Sequence, residues 1–238
     1  MHLPDPRRQK QLQQLVVKLG LPDDAPIQWH LLDQALTHAT FSQTRNYEQL
    51  EFVGDAVLRL VSAACLYETY PHLAEGDLSA IRAVLVSDRT LAKLADRYNL
   101  SRYLLVGASA LGDKAGAQTR SAAAFEALLG SLFLSTHDLS LVRPWLNVQL
   151  QEFADTIRRD PTLENYKGAL QGFTQAQYQI LPDYRVTEIG HNHGDKERFL
   201  AEVWLNGKCW GAGKGQSKKA AEQEAARIAF HALQPQQS

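Results

Sequence analysis

Three acidic residues share one helical face near the start of a long apolar segment. In NYEQLEFVGDAVL, residues 46–58, Glu48, Glu51 and Asp55 stand at positions i, i+3 and i+7, so their side chains project from the same side of a helix. Carboxylates packed together repel one another, and a divalent cation bound by hard oxygen ligands relieves that repulsion. The spacing therefore indicates a metal centre, although a solvent-exposed acidic face is the ordinary alternative.

Gly54 favours the metal centre over that alternative. It stands in the middle of the predicted helix, between two apolar runs, where glycine costs about 1 kcal/mol relative to alanine. A glycine at such a position indicates close approach by another element or backbone. We therefore expect another part of the chain to approach this helix closely at Gly54.

The elements that must position these acids are helices throughout the N-terminal part of the chain. From Gln9 to about Leu150, apolar residues recur at three- and four-residue spacing, and the segments end at Gly, Pro or Asn. The clearest segments are LLDQALTHAT, LEFVGDAVLRLVSAACLYETY, LSAIRAVLVSDRTLAKLADRY and AAAFEALLGSLFLS. The pattern predicts a mainly α N-terminal domain.

The pattern changes near Asp160-Pro161, where Pro161 disfavours helix at the residue before it. A helix near 164–177 is followed by two segments with alternating apolar residues, YRVTEI and RFLAEVWL. Asn206-Gly207 is a two-residue hairpin signal, and Ser217 is suited to cap a final helix. The order is α-β-β-β-α, which predicts an α+β domain. In the second segment the residues on one face are Phe199, Ala201, Val203 and Leu205.

Length and composition agree with two folded domains and set limits on function. The chain has 238 residues, 45% of them hydrophobic and 21% charged, as in ordinary globular proteins. It lacks a run of about 18 apolar residues and an apolar segment after the basic start MHLPDPRRQKQ, so we expect no membrane partner and a cytoplasmic location. The two cysteines lack CxxC spacing, which argues against a disulfide framework and a zinc cluster.

The distribution of charge is more informative than its sum. The net charge is only −1, but the stretch from Lys208 to Lys219 holds four lysines and no acid. A local basic patch of this kind neutralises phosphates. The C-terminal domain is therefore a candidate for nucleic-acid binding.

At this point the motif N-x-E-x-L-E-F-V-G-D-A-V-L resembles the signature of ribonuclease III. The segments 35–41, 75–95 and 124–134 resemble the parts of that family that flank the signature. The C-terminal region resembles a double-stranded-RNA-binding domain, so the resemblance covers nearly the entire chain. It implies a ribonuclease III endonuclease domain over 1–158 and a double-stranded-RNA-binding domain over 163–235.

The resemblance implies hydrolysis of double-stranded RNA that leaves 5′-phosphate and 3′-hydroxyl ends with short 3′ overhangs. The expected substrates are ribosomal precursors and other structured transcripts, and the expected cofactor is Mg²⁺, with Mn²⁺ as a substitute and no small-molecule cofactor. By position, Glu51, Asp55 and Glu126 match metal-binding catalytic carboxylates, while Glu48 and Glu75 match accessory acids. Their physical roles are to orient a water, lower its pKa and neutralise developing charge.

One departure from the family pattern concerns the fourth metal ligand. The family places Asp three residues before the last catalytic Glu, but here that position is Ala123. We expect weakened activity that needs more metal, since a water can occupy a vacant Mg²⁺ ligand position. The alternative is a double-stranded-RNA-binding regulator with little or no cleavage. Whether a loop acid such as Asp113 replaces the missing ligand is left open by the sequence.

The chemistry also predicts a homodimer. A staggered cut of both strands needs two sites related by a two-fold axis, which one isologous interface supplies. The resemblance places Phe52, directly after Glu51, at the position of an aromatic residue that inserts into the partner subunit. The alternative is that Phe52 is an ordinary core residue.

Three stretches carry the resemblance to the RNA-binding domain: NYKGALQGFTQAQ, the GHNH loop and GKGQSKKAAEQEAA. The last is the most specific, because lysines at a helix start add to the anion preference of its N–H groups and dipole. A solvated basic turn is the alternative, and a protein-interaction module is a third possible function. The expected RNA contacts are Gln171 and Gln175 for 2′-hydroxyls, His193 in the loop, Lys214 from a glycine-rich turn, and Ser217, Lys218 and Lys219 at the helix start.

Overall fold

A computed structural model describes residues 3–113, 116–159, 166–190, 195 and 197–233. No helix in this part of the chain is long and apolar enough to span a bilayer. The helices are α1 (Pro6–Lys18), α2 (Trp29–Ala35), α3 (Glu48–Thr69), α4 (Glu75–Leu85), α5 (Asp88–Arg97), α6 (Ala108–Leu111), α7 (Ala117–Thr136), α8 (Arg143–Arg159), α9 (Tyr166–Tyr178) and α10 (Lys218–Leu233). The strands are β1 (Asp183–Glu188), β2 (Phe199–Leu205) and β3 (Lys208–Gly215).

The chain divides into two compact units. The first comprises Met1–Thr69 and Leu85–Phe153, and the second comprises Tyr70–Val84 and Ala154–Ser238. The first unit is helical and the second contains the three-stranded sheet. This confirms the predicted combination of a mainly α part and an α-β-β-β-α part.

Helix α7 is the central element of the first unit. From Ala122 to Leu132 its residues are buried, with the sole exception of Glu126, which is half-buried. Helices α2, α3 and α5 pack against it, and Phe125 contacts Trp145 edge to face. An apolar helix surrounded by other helices has a fixed position, because moving it would open cavities on several sides.

Helices α3 and α7 approach each other so closely that side chains are excluded at their crossing. A methyl group on Gly54 would lie 1.8 Å from the backbone oxygen of Glu126, and one on Gly130 would lie 2.2 Å from the backbone oxygen of Leu50. Real contacts of a methyl carbon are never that short, so the two glycines permit the crossing. The close approach predicted at Gly54 is confirmed, and it brings the acidic face of α3 against α7 at Glu126.

The sheet of the second unit is antiparallel in the order β1-β2-β3. Tyr184 of β1 pairs with Val203 of β2, and Leu205 pairs with Lys208 across the hairpin. Asn206 and Gly207 both have positive φ, 49° and 75°, as the predicted two-residue turn requires. Burial alternates along β2, so the predicted apolar face is confirmed: Phe199, Ala201, Val203 and Leu205 are all in the core.

The glycine-rich stretch before α10 is a strand and not the turn that the sequence suggested. Gly211, Gly213 and Gly215 alternate along β3 and face α10. A methyl group on any of them would lie within 2.5 Å of the α10 backbone. The glycines therefore let the helix lie directly on the strand, and Lys214 extends from β3 between them.

Helix α4 belongs to the core of the second unit. Ala80 is fully buried among the apolar residues of α9, α10 and the sheet. The Asp77 carboxylate accepts a hydrogen bond of 3.0 Å from the Tyr166 hydroxyl and lies 3.4 Å from Nε2 of His231. The contacts thus join residues 70–84 to the C-terminal part, while the domain limits 1–158 and 163–235 stay a prediction.

Candidate metal centre and nucleic-acid interface

The start of α3 is fixed by polar contacts that hold its acidic residues in register. The Asn46 side-chain oxygen accepts a 3.0 Å hydrogen bond from the Glu48 N–H, and Asn46 is itself buried. The Tyr47 backbone oxygen accepts from the Glu51 N–H at 2.8 Å. Glu48 is exposed, whereas Glu51 and Asp55 are half-buried toward α7. The first two turns of α3 therefore present a defined row of carboxylates.

Glu126 is the carboxylate that its surroundings perturb most. Its pKa is raised to about 7, first by burial and then by the negative charges of Asp55, Glu51 and Asp88, against a smaller lowering by Arg59. Glu126 thus lies within electrostatic range of acids from two other helices. The charges of Asp55 and Glu51 both raise the pKa of Glu126, while the grouping of these three residues as metal ligands stays a prediction.

The pKa of Glu51, on α3, is also shifted by neighbouring acids. Burial raises its pKa, and the charges of Glu48 and Asp88 add to that effect. Asp88, the first residue of α5, therefore acts on both Glu51 and Glu126. The sequence reasoning did not identify Asp88. Its proximity follows from the packing of α5 against α7, which no spacing in the sequence reveals.

Asp55 has a basic partner within its own helix. Nε of Arg59 donates to both carboxylate oxygens of Asp55 at 2.8 Å. The i,i+4 spacing of Asp55 and Arg59 was the sequence signal for this pair. A cation bound at Asp55 has to share the carboxylate with the guanidinium or displace it. Water reaches both side chains, which are 58% exposed for Arg59 and 40% exposed for Asp55, so the pair itself is weak.

The donor set fits a hard divalent cation. It consists of carboxylates, the ligands that Mg²⁺ and Mn²⁺ prefer. The pKa of Glu126 is raised by burial and by the neighbouring negative charges, and a bound cation would offset both effects. Within the described ranges, no three or more His, Cys, Asp or Glu side chains are gathered tightly enough to enclose an ion. The side chains would have to close by rotamer changes about the fixed α3–α7 crossing.

Ala123 and Asp113 bear on the question of the missing fourth ligand. Ala123 lies on α7 three residues before Glu126 and is buried, with 7% of its surface exposed. The Asp113 carboxylate accepts a 2.9 Å bond from Arg120, at the start of α7, and a 3.0 Å bond from the Gly116 N–H. Asp113 is thus engaged at that end of α7 and is not among the charges that shift Glu126.

Glu75, the second accessory acid, belongs to the other unit. It begins α4, and its carboxylate accepts a 2.7 Å hydrogen bond from the Ser79 hydroxyl one turn later. It also lines a cavity with Arg82 and residues of α9 and α10. A role for Glu75 beside the carboxylates of the first unit stays a prediction.

The start of α10 presents the basic residues of the candidate RNA interface. The Ser217 hydroxyl accepts a 3.1 Å hydrogen bond from the Ala220 N–H, so the predicted cap is confirmed. Lys218 and Lys219, the first two helical residues, are both exposed, and neither forms an ion pair among the residues that the structure describes. Two available ammonium groups therefore flank the free N–H groups of the helix start.

The other residues predicted to contact RNA differ in how available their side chains are. Nζ of Lys214 is 2.8 Å from a carboxylate oxygen of Glu197, so its charge is partly neutralised within the protein. Gln171 and Gln175 are exposed one turn apart on α9, as minor-groove contacts require. His193 and the link around Pro161 lie outside the described residues.

An exposed apolar stripe runs along α3 beside the acidic face. Phe52, Leu60 and Tyr67 are 82%, 57% and 70% exposed. Their spacings of eight and seven residues place them on one side of the helix. The alternative that Phe52 is a core residue of the single chain is therefore wrong. Large apolar side chains in such a row mark a protein interface.

Family models match both parts of the chain. A model described as Ribonuclease-III-like matches residues 28–139, and one described as Double-stranded RNA binding motif matches residues 166–233. The first range contains Glu48, Glu51, Asp55, Asp88 and Glu126, and the second contains Lys214, Ser217, Lys218 and Lys219. The candidate metal centre and the candidate RNA interface thus lie in separately recognised regions.

Curated relatives match over almost the full chain. A protein named Ribonuclease 3 2 from Nostoc is 59% identical over 99% of this chain and 97% of the relative. A protein of the same name from Synechocystis is 52% identical over 94% of this chain and 92% of the relative. A solved nuclease domain of ribonuclease III from Campylobacter jejuni is 30% identical with a TM-score of 0.50, covering 62% of this chain and 95% of that domain.

Proposed function

The chain belongs to the ribonuclease III family, and on that premise we propose that Glu51, Asp55 and Glu126 form the centre at which it hydrolyses double-stranded RNA. The chain is a double-strand-specific endoribonuclease with a divalent-metal requirement. The site assignment rests on the position and surroundings of Glu126. It is the one charged side chain in the buried middle of α7, and acids of α3 act on it across the glycine crossing.

The chain's own residues have distinct parts in this proposal. Glu51, Asp55 and Glu126 would hold the metal, which is Mg²⁺ with Mn²⁺ as a substitute. When bound, such a metal acidifies a coordinated water and neutralises charge on the phosphate oxygens. The water oxygen adds to phosphorus and the bond to the 3′ oxygen breaks, which leaves a 5′-phosphate and a 3′-hydroxyl. Glu48, exposed beside Glu51, is placed to orient water or RNA at the edge of the site, and Glu75 is the second accessory acid.

The C-terminal part supplies affinity for duplex RNA. Lys218 and Lys219 contact phosphates at the start of α10, where the helix dipole also attracts anions. Gln171 and Gln175 reach 2′-hydroxyl groups from α9, and His193 and Lys214 add contacts from the β1–β2 loop and from β3. Such modules recognise A-form shape, so helix length and interruptions select the substrate. We propose ribosomal precursors and structured transcripts as the natural substrates and the cytoplasm as the location of the enzyme.

The working form is a homodimer. The stripe of Phe52, Leu60 and Tyr67 is exposed in the single chain, and it runs along the helix that carries Glu51 and Asp55. Pairing of two such stripes about a two-fold axis would give two metal centres at a fixed separation. Two centres of that kind cut both strands with a stagger and give the short 3′ overhangs.

The test is cleavage of a long RNA duplex over a magnesium and manganese titration. Glu126→Gln removes the charge and keeps the shape of the side chain, and we expect it to abolish cleavage at every metal concentration. Glu152→Gln, which changes an exposed carboxylate on α8, is the matched control and should cut normally. Cleavage by Glu126→Gln at the normal rate would remove the site assignment.

The same titration measures the effect of Ala123. We expect Ala123→Asp to cut at lower metal concentrations than the natural sequence, because it adds an oxygen ligand one turn from Glu126. An unchanged titration would mean that the missing ligand is unimportant or replaced by another group. The regulator alternative, with little or no cleavage, is favoured by none of the comparisons.

A further inference from the structure

We propose that α4 extends the RNA-binding surface of the second unit, with Arg82 as its contact to the sugar–phosphate backbone of the duplex. The inference rests on the proposed function, since it takes the face of α9 that bears Gln171 and Gln175 as an RNA contact. Helix α4 lies inside the Ribonuclease-III-like match of residues 28–139 and outside the match of the RNA-binding motif. The RNA surface of the chain is then larger than that motif.

The face of α9 predicted to contact RNA contains two glycines. Four residues stand at positions i, i+3, i+4 and i+7 and so share one side of the helix. They are Gly168, Gln171, Gly172 and Gln175, and all four are exposed. A methyl group on Gly172 would meet no atom of another element within 4 Å among the described residues. This surface is therefore open, and its glycines let an RNA backbone come close to the helix.

Helix α4 borders the same space as this face of α9. A cavity of about 470 Å³ is lined by residues of both helices. On α9 they include Gly168 and Gly172, and on α4 they include Glu75, Ser79 and Arg82. The three α4 residues stand at i, i+4 and i+7, which is one face of that helix. The cavity therefore continues the predicted RNA face of α9 onto α4.

Helix α4 is held beside α9 and α10 by one buried contact and two polar ones. Ala80 is fully buried in the core of the second unit. The Tyr166 hydroxyl donates to the Asp77 carboxylate at 3.0 Å, and Nε2 of His231 lies 3.4 Å from an oxygen of the same carboxylate. These contacts come from both helices of the RNA-binding motif. They give a side chain on the cavity face of α4, such as Arg82, a defined position beside α9.

Arg82 supplies positive charge to this cavity. Its side chain is half-buried, and it forms no hydrogen bond or ion pair among the residues that the structure describes. The Glu75 carboxylate is engaged by the Ser79 hydroxyl at 2.7 Å, and Glu75 stands about 10 Å from Arg82 along the helix axis, at 1.5 Å per residue. A phosphate can therefore approach the Arg82 end of the cavity, where the guanidinium can bind it through two N–H groups.

The test is binding of an RNA duplex to the full chain in a chelator, measured by fluorescence anisotropy over a salt titration. We expect Arg82→Gln to weaken binding roughly fivefold at about 0.15 M salt and to lower the salt slope by about one, because one phosphate contact is lost. Arg82→Lys keeps the charge, so it should keep the slope. The matched control is Arg7→Gln, which makes the same change at an exposed arginine of α1 and should bind normally.

Two results would overturn the inference. One is a salt slope for Arg82→Gln equal to that for Arg7→Gln, and the other is tighter binding by Arg82→Gln, which would mean that α4 shields α9 from RNA. In either case, weaker binding by Lys218→Ala with Lys219→Ala would leave the proposed RNA interface intact. Normal binding by that double variant would remove the interface itself, so the two failures are distinguishable.

Discussion

At the scale of single residues, the candidate site depends on a carboxylate in an apolar helix. Glu126 is the only charged residue between Ser121 and Thr136, and its neighbours on α7 are buried. Burial and three nearby acids raise its pKa to about 7. A divalent ion would attract each of these carboxylates and offset their mutual repulsion, so the arrangement favours cation binding.

Glu126 should make the stability of the metal-free protein depend on pH. Its folded pKa of about 7 lies above the ordinary value of 4.5, so the folded state binds more protons between those values. Stability is then fully present below about pH 4.5, falls as pH rises to about 7, and levels off above it. The loss is at most about 3–4 kcal/mol, from about 1.4 kcal/mol per pKa unit, and solvent that reaches this half-buried side chain lowers it further. Urea denaturation in a chelator from pH 4.5 to 8 measures it.

The control for this prediction is Glu126→Gln, which has no proton to lose in this range. Its stability should vary less with pH than that of the natural chain, and it should be the more stable protein at pH 8. A decline of the same size in both proteins would show that other groups cause it.

The sequence predicted the residues of the site unevenly. Glu48, Glu51 and Asp55 were found from helical spacing alone, because they share one element. Glu126 required the family resemblance, although a lone charge in an apolar helix is itself a signal. Asp88 was out of reach, since its relation to the other acids exists only after α5 has packed on α7.

At the scale of elements, the crossing of α3 and α7 decides where the carboxylates meet. Its geometry depends on Gly54 and Gly130, each of which faces a backbone oxygen of the opposite helix. Side chains on crossing helices normally keep the axes 8–10 Å apart, and the two glycines remove that spacer. Part of the catalytic geometry is thus encoded by residues that have no side chain.

Gly54→Ala should therefore separate the two helices. A methyl group 1.8 Å from the Glu126 backbone oxygen cannot be accommodated, so we expect a loss of about 1–3 kcal/mol or more from overpacking. Metal-dependent cleavage should fall as well, because Glu126 moves away from α3. Urea denaturation and the duplex-cleavage assay measure the two effects.

Gly172→Ala is the matched control, since it is also a helical glycine but has nothing within 4 Å of the added methyl. It should gain up to about 1 kcal/mol of stability from helix propensity. If Gly54→Ala were equally stabilising, the close crossing would not exist in solution.

The start of α10 is expected to determine how RNA binding responds to salt. Lys218→Ala with Lys219→Ala removes two exposed charges beside the helix N–H groups. We expect weaker binding to all duplex sequences and a salt slope lowered by about one for each lysine. Lys10→Ala with Lys18→Ala, on the exposed face of α1, makes the same charge change as a control. Equal slopes for the two double variants would exclude this interface.

Elements with a periodic apolar pattern were predicted well, and the glycine-rich end of β3 was not. The alternation in β2, the Asn206-Gly207 turn and the Ser217 cap are all confirmed. Strand β3 was predicted, but its end at Lys214 and Gly215 was mistaken for a turn, because glycine is depleted in strands and offers no alternating pattern. Its glycines serve the contact with α10, which is a tertiary requirement that local sequence does not express.

At the scale of the whole molecule, the two units carry different candidate sites. The helical unit carries the carboxylates, and the second unit carries the lysines. The resemblance to one family predicted both, and the relatives match over almost the full length. The apolar stripe of α3 leaves the first unit with an exposed face, and that face is where a second copy of the chain would bind.

Phe52→Asp should therefore produce a folded monomer. Phe52 is 82% exposed, so a charge there costs little within one chain but is costly in a buried interface. Sedimentation should give the mass of one chain for this variant and of two chains for the natural protein. Val17→Asp, at another exposed apolar residue on α1, should remain dimeric. Loss of helical circular dichroism in Phe52→Asp would contradict the interface assignment.

The buried position of Ala80 bears on how this chain can be shortened. Helix α4 precedes α5 in the chain, yet Ala80 is covered by the C-terminal helices and sheet, and Asp77 is bound by Tyr166. A fragment ending near residue 159 would expose that alanine to water and remove the tyrosine. Truncation would then weaken RNA binding and also destabilise α4, the helix that bears Glu75. It exposes an apolar surface of that helix and removes contacts that hold it in place.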